Sequence, residues 1–174
     1  STAKDANNEF DDWIELYNTT GNDVSVAGLF LSDDISNLTK WALPEMSIPA
    51  NDYLIVWADS DEAQPGVHSS FKLSSYGEQL YLSDISEAIV DSITFTSQLE
   101  DISYGRFPNG TGDFTLLSPT FSASNNTASI IPEDAVLLLN TFPNPAEETL
   151  YIRMESQKEF SLLLVDVLGR VLYS

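Results

Sequence analysis

Catalysis or ion binding needs a proton acceptor, a nucleophile or a set of ligands, and this chain supplies them unevenly. It holds one histidine, no cysteine, and 27 acidic residues against 7 basic ones. His68, in GVHSSF, is the one base a serine–histidine triad could use. No Gly-x-Ser-x-Gly elbow surrounds any serine, and the polar, turn-like context reads as an exposed or turn-capping histidine. One histidine without thiols also leaves too few ligands for a zinc site. Glycosidases work with two carboxylates at a set separation, but so many acids supply such pairs by chance. Gly110-Thr111-Gly112 lacks the further glycine and the helix that a phosphate-binding turn requires. No residue is therefore expected to be catalytic, and no organic cofactor is expected.

Calcium is the ligand that this composition suits, because hard cations take clustered carboxylate and carbonyl oxygens on loops. Asp59, Asp61 and Glu62 follow an apolar run and are the candidate metal ligands. Asp5, Asn7, Asn8, Glu9, Asp11 and Asp12 crowd the amino end in a second acid-rich stretch. Neither is an EF-hand loop: counted from Asp59, the obligatory glycine is replaced by Gln64. The same acids also read as solvated turn residues that oppose aggregation. Trp13, Trp41 and Trp57 could form a sugar-stacking platform, although large aromatics in small β-folds usually pack inside. Arg106 is expected to anchor a buried ion pair.

The elements that must position these side chains are strands. Apolar and β-branched residues come in short runs bounded by Gly, Asn, Asp, Ser and Pro, and no long stretch keeps a helical period. Strands are expected at 13–17, 24–31, 53–58, 79–83, 88–95, 103–107, 114–117, 149–154, 160–166 and 170–173. In DWIEL, Ile14 and Leu16 point to one face, and Asp12, Glu15 and Tyr17 take the places of a half-exposed strand. LFLSDDIS at 29–36 and LYLSDISE at 80–87 echo each other, each strand running into Ser-Asp turn chemistry. The fold class is all-β.

A net charge of −20 repels phosphate backbones and excludes nucleic acid as an expected partner. Apolar runs such as 135–139 are far too short to span a bilayer, so membrane insertion is not expected. The first ten residues lack a signal-peptide pattern, and any export leader would lie outside this chain. Ser/Asn/Thr-rich text from 118 to 134 marks a boundary. The expected organisation is a sandwich over 1–125, a linker over 126–135 and a second unit over 136–174.

Three stretches, DDWIELYN at 11–18, YLIVWAD at 53–59 and QLEDISYGRFPNGTGDF at 98–114, resemble the lamin-tail domain family, and SPTFSASN at 118–125 resembles its closing segment. The resemblance implies an immunoglobulin-like β-sandwich over about residues 9–125. Such domains open with one more strand, ahead of where this chain begins. That implies an unpaired sheet edge and a homo-oligomer formed by edge-strand pairing.

FPNPAEETLYIRM, followed by FSLLLVDVLGRVLYS, resembles the C-terminal sorting domains of proteins exported by the type IX secretion system of Gram-negative bacteria. Pro143, Asn144, Pro145 and Ala146 match the opening, and Asp166 with Leu168-Gly169-Arg170 matches a hairpin turn. The resemblance implies a partial small β-sandwich, contact with the secretion machinery, and a place outside the cell or on its outer surface. The function expected is a non-catalytic interaction or spacer module binding a protein or polysaccharide at the cell surface. The alternative is a carbohydrate-binding module appended to a secreted hydrolase.

Overall fold

The computed structural model describes residues 3–131 in full and, after them, the backbone of four short strands. The chain divides into two compact units, Ser1–Ile131 and Pro132–Ser174. The first unit contains β1 (Trp13–Tyr17), β2 (Val24–Ser25), β3 (Leu29–Ser32), β4 (Trp41–Ala42), β5 (Ser47–Ile48) and β6 (Tyr53–Trp57). It continues with β7 (Gly77–Asp84), β8 (Ile89–Thr96), β9 (Ser103–Phe107), β10 (Asp113–Leu117) and a 3₁₀ turn at Asn125–Thr127. The second unit contributes β11 (Leu138–Phe142), β12 (Tyr151–Glu155), β13 (Leu164–Val165) and β14 (Val171–Tyr173), paired β11 with β12 and β13 with β14. The described residues form no α-helix, and the protein is all-β.

In the first unit one sheet has the order β4-β3-β7-β8, and β1 pairs antiparallel with β6 opposite it. Alternation decides which face is buried. Ile14 and Leu16 of β1, and Leu54 and Val56 of β6, face the core with Val26, Leu31, Trp41, Leu43, Ile48, Phe71 and Leu80. The intervening residues, Trp13, Glu15, Tyr17, Tyr53 and Trp57, take the opposite face. Leu31 and Val56 are fully buried, and truncating either to alanine would cost about 2–5 kcal/mol.

The expected strand at 24–31 is two strands, because Gly28 takes a left-handed φ of +79° and turns the chain between them. The two echoing strands are neighbours: Leu29 pairs with Asp84 and Ser32 with Tyr81 in the β3–β7 ladder. Each ends in the same turn. Asp34 Oδ1 accepts from the Ser36 backbone and hydroxyl, and Asp84 Oδ1 accepts from those of Ser86.

Residues 118–131 fold back over the outer face of β1 and β6. Phe121 packs between Trp13 and Trp57, with ring centroids 5.4 and 5.5 Å away. Asn125 clasps the β9–β10 hairpin, donating from Nδ2 to the Arg106 carbonyl while its own N–H reaches Asn109 Oδ1. Gly105 permits this, since a Cβ there would lie 2.9 Å from Asn125 Nδ2. Residues 126–131, within the expected linker, carry bonds of the first unit: Ser118 N–H donates to Ser129 O and Ile131 N–H to Leu116 O.

Candidate functional site

The loop after β6 carries the three acids expected as metal ligands, and the structure gives each a different partner. Asp59 Oδ2 lies 2.7 Å from His68 Nδ1, with both side chains almost wholly buried. Asp59 Oδ1 accepts from the Asp61 backbone, so Asp59 also closes its own turn. Glu62 accepts from the Trp41 indole N–H at 3.0 Å. The Asp61 carboxylate accepts from the Ala63 N–H and the Gln64 amide. Pro143, Asn144, Pro145, Ala146 and Gly169, the expected sorting-signal residues, lie outside the described residues.

His68 is buried, which corrects its reading as an exposed or capping residue. A parallel bridge between Trp57 and His68 brings it under Asp59, with Trp57 N–H donating to Val67 O and Ser69 N–H to Trp57 O. Its second nitrogen, Nε2, faces the Pro65 carbonyl at 3.3 Å. Gly66, at φ +126°, allows the loop to close there, because a Cβ would come within 3.1 Å of that nitrogen. Both ring nitrogens thus meet acceptors, and the imidazolium satisfies both. Burial alone would depress the His68 pKa. The Asp59 hydrogen bond, then the Pro65 carbonyl and the charges of Asp59 and Asp5, outweigh it and raise the value above 6.5. Neither nitrogen is left to take a proton from a nucleophile.

Next to this pair lies the amino-terminal turn. Asp5 is buried, and its Oδ1 accepts from the N–H groups of Asn7 and Glu9. One carboxylate oxygen from each of Asp5, Glu9 and Asp11 lies within 4.8 Å of the others. Burial, followed by the like charges of Asp59, Glu9 and Asp5, raises the Asp11 pKa.

The other notable surface is the free edge of β1. The β1–β6 register pairs Ile14 with Val56 and Leu16 with Leu54, and the flanking bonds Ala58 N–H to Asp12 O and Asn18 N–H to Asp52 O fix the hydrogen-bonded set. It follows that the N–H and C=O groups of Trp13, Glu15 and Tyr17 point away from β6. Among the described residues no strand pairs with that edge. A groove of about 870 Å³ runs along it, lined by all five residues of β1 and by Ile93, Phe95 and Phe114. Burial raises the Glu15 pKa to about 7, against the opposing hydrogen bond from the Ser122 N–H.

The first 97 residues match the family model described as Lamin Tail Domain. The chain belongs to the lamin tail domain family. Lamin tail domains are immunoglobulin-like and non-catalytic, and the observed sandwich is of that class. The match stops ahead of Gln98, so the SYGRFPNG hairpin and its Asn125 clasp extend the unit past the matched residues. No curated protein and no solved structure gives a match.

The aromatic and arginine readings divide. Trp41 and Trp57 are buried and Trp13 is half-buried under Phe121, so the indoles of this lamin tail domain form no exposed platform. Arg106 does form an ion pair, 2.7 Å from Asp91, but Asp91 is half exposed and the guanidinium stacks on Phe114 at 4.1 Å instead of being buried. Sequence reasoning missed the buried Asp59–His68 pair and the β1 groove. Nothing local to GVHSSF could have signalled the pair, because its partner arrives through a strand bridge.

Proposed function

We propose that this chain is a non-catalytic interaction module of a secreted, surface-associated bacterial protein, and that it works by accepting an extended partner segment along β1. The observation that carries this reading is the outward-facing row of backbone groups at Trp13, Glu15 and Tyr17 beside the apolar groove. Pairing with them supplies main-chain hydrogen bonds, and the groove supplies sites for alternate side chains, as in β-strand addition. A second copy of the chain is one such partner. The charge of −20 favours neutral or basic segments. The absence of a catalytic role is supported by the family and by the full occupation of both His68 nitrogens. Export by type IX secretion is supported by Pro143-Asn144-Pro145-Ala146 and Leu168-Gly169-Arg170 in the sequence.

Hydrogen exchange combined with light scattering tests the edge. The amides of Trp13, Glu15 and Tyr17 should exchange quickly in the monomer and become protected as concentration or partner peptide rises. Glu15→Pro, which removes an outward N–H and spares the β6 ladder, should abolish that protection. Protection at all concentrations, or association unchanged by Glu15→Pro, would overturn the edge as the working surface.

A further inference from the structure

We propose that the amino-terminal turn is a calcium site built from Asp5, Glu9 and Asp11, separate from the β1 edge. Three carboxylates alone would not argue this, since acids crowd many solvated turns. The deciding feature is Asp5 itself. Its residue is 8% exposed, and its Oδ2 is buried with no hydrogen-bond partner among the described residues. Oδ1, by contrast, is fully engaged by two backbone N–H groups. A buried anionic oxygen without a donor is costly, and proteins retain such groups where a cation meets them.

The surroundings select the kind of cation. One carboxylate oxygen from each of Asp5, Glu9 and Asp11 lies within 4.8 Å of the other two, a spacing that fits ligands at 2.3–2.6 Å around one ion. The donors are all hard oxygens, and both nitrogens of the neighbouring His68 are occupied, which disfavours zinc and copper. Glu9 is exposed, so water can complete a six- to eight-fold shell, and the irregular geometry of a turn suits calcium better than the strict octahedron of magnesium. Gln64 bridges the turn to the loop after β6, donating to Glu9 Oε2 at 2.9 Å and accepting from Asn7 Nδ2 at 2.7 Å. Bound calcium would thereby fasten the amino-terminal turn to that loop. Three protein carboxylates with water as the remaining ligands place the dissociation constant on the order of 10⁻⁴ to 10⁻³ M.

The test is calorimetric titration of the full chain with calcium chloride, paired with thermal melting at constant ionic strength. The expected result is one site per chain, a melting temperature that rises with calcium, and a smaller response to magnesium. Glu9→Gln, at an exposed position where folding is not at stake, should weaken calcium about tenfold or more, as should Asp11→Asn. Asp5→Asn should abolish the shift, since it removes the carboxylate oxygen that has no donor. No heat and no shift with calcium would overturn the proposal, as would binding unchanged in Glu9→Gln and Asp11→Asn.

Discussion

Two groups of carboxylates in this domain meet opposite fates. At the ends of β3 and β7, Asp34 and Asp84 stand in solvent and accept hydrogen bonds from serines two residues on. Those bonds, from the Ser36 and Ser86 side chains first, hold both carboxyls below 3.8. Around β1 and the loop after β6, Glu15 and Asp59 are withdrawn from water and depend on groups far along the chain: Ser122 for Glu15 and His68 for Asp59. The anion is favoured by neighbouring donors at Asp34 and Asp84, is disfavoured by burial at Glu15, and at Asp59 is matched by the His68 ring. The difference lies in whether its partner is supplied by the next turn or by the fold.

The largest effect should come from breaking the long-range pair. His68→Ala leaves Asp59 buried without its counter-charge and should cost about 3 kcal/mol or more of stability, read from urea denaturation. Adding Asp59→Asn to His68→Ala should recover part of that loss, because no uncompensated charge then remains. If the single and double variants unfold at the same urea concentration, the pair is not coupled as described.

Next in size is Glu15. Its folded pKa of about 7 exceeds the ordinary 4.5, so the native state holds a proton that the unfolded state gives up first. Stability is therefore full below pH 4.5 and falls as pH rises from there through about 7. His68 acts in the same sense, its contribution fading as pH climbs past its raised value. Glu15→Gln keeps an acceptor for the Ser122 N–H and removes the charge. After allowance for solvent screening it should add about 1 kcal/mol at pH 8 and nothing at pH 4. An equal effect at both values would assign Glu15 a packing role instead.

The smallest effects should come from Asp34→Ala and Asp84→Ala, with melting temperatures falling less than in His68→Ala. Their folded values are depressed, so the stabilisation is present above 3.8 and disappears as pH falls through the lowered values. A loss at neutral pH comparable to that of His68→Ala would break the contrast between the two regions.

What was legible in the sequence follows the same division. Strands at 13–17 and 103–107 match β1 and β9, because strong alternation and flanking turn residues specify them locally. The Ser-Asp turns were legible for that reason too. The two-residue strands β4 and β5 were not, since a pair of residues carries no period. His68 was misread because its polar neighbours describe a turn, whereas its burial depends on the bridge to Trp57. Ser/Asn-rich text reads as unstructured because its polar groups have no local period, yet Asn125 and Ser129 commit theirs to the β9–β10 hairpin and to residue 118.

That clasp decides how far along the chain the first unit is fastened. Among the described residues the last backbone bond of the first unit runs from Ile131 to Leu116, and Phe121, Ser122 and Asn125 are fastened before it. Cleavage on the far side of Ile131 would sever none of these attachments. A chain cut there would keep the final wrap of its first unit tied.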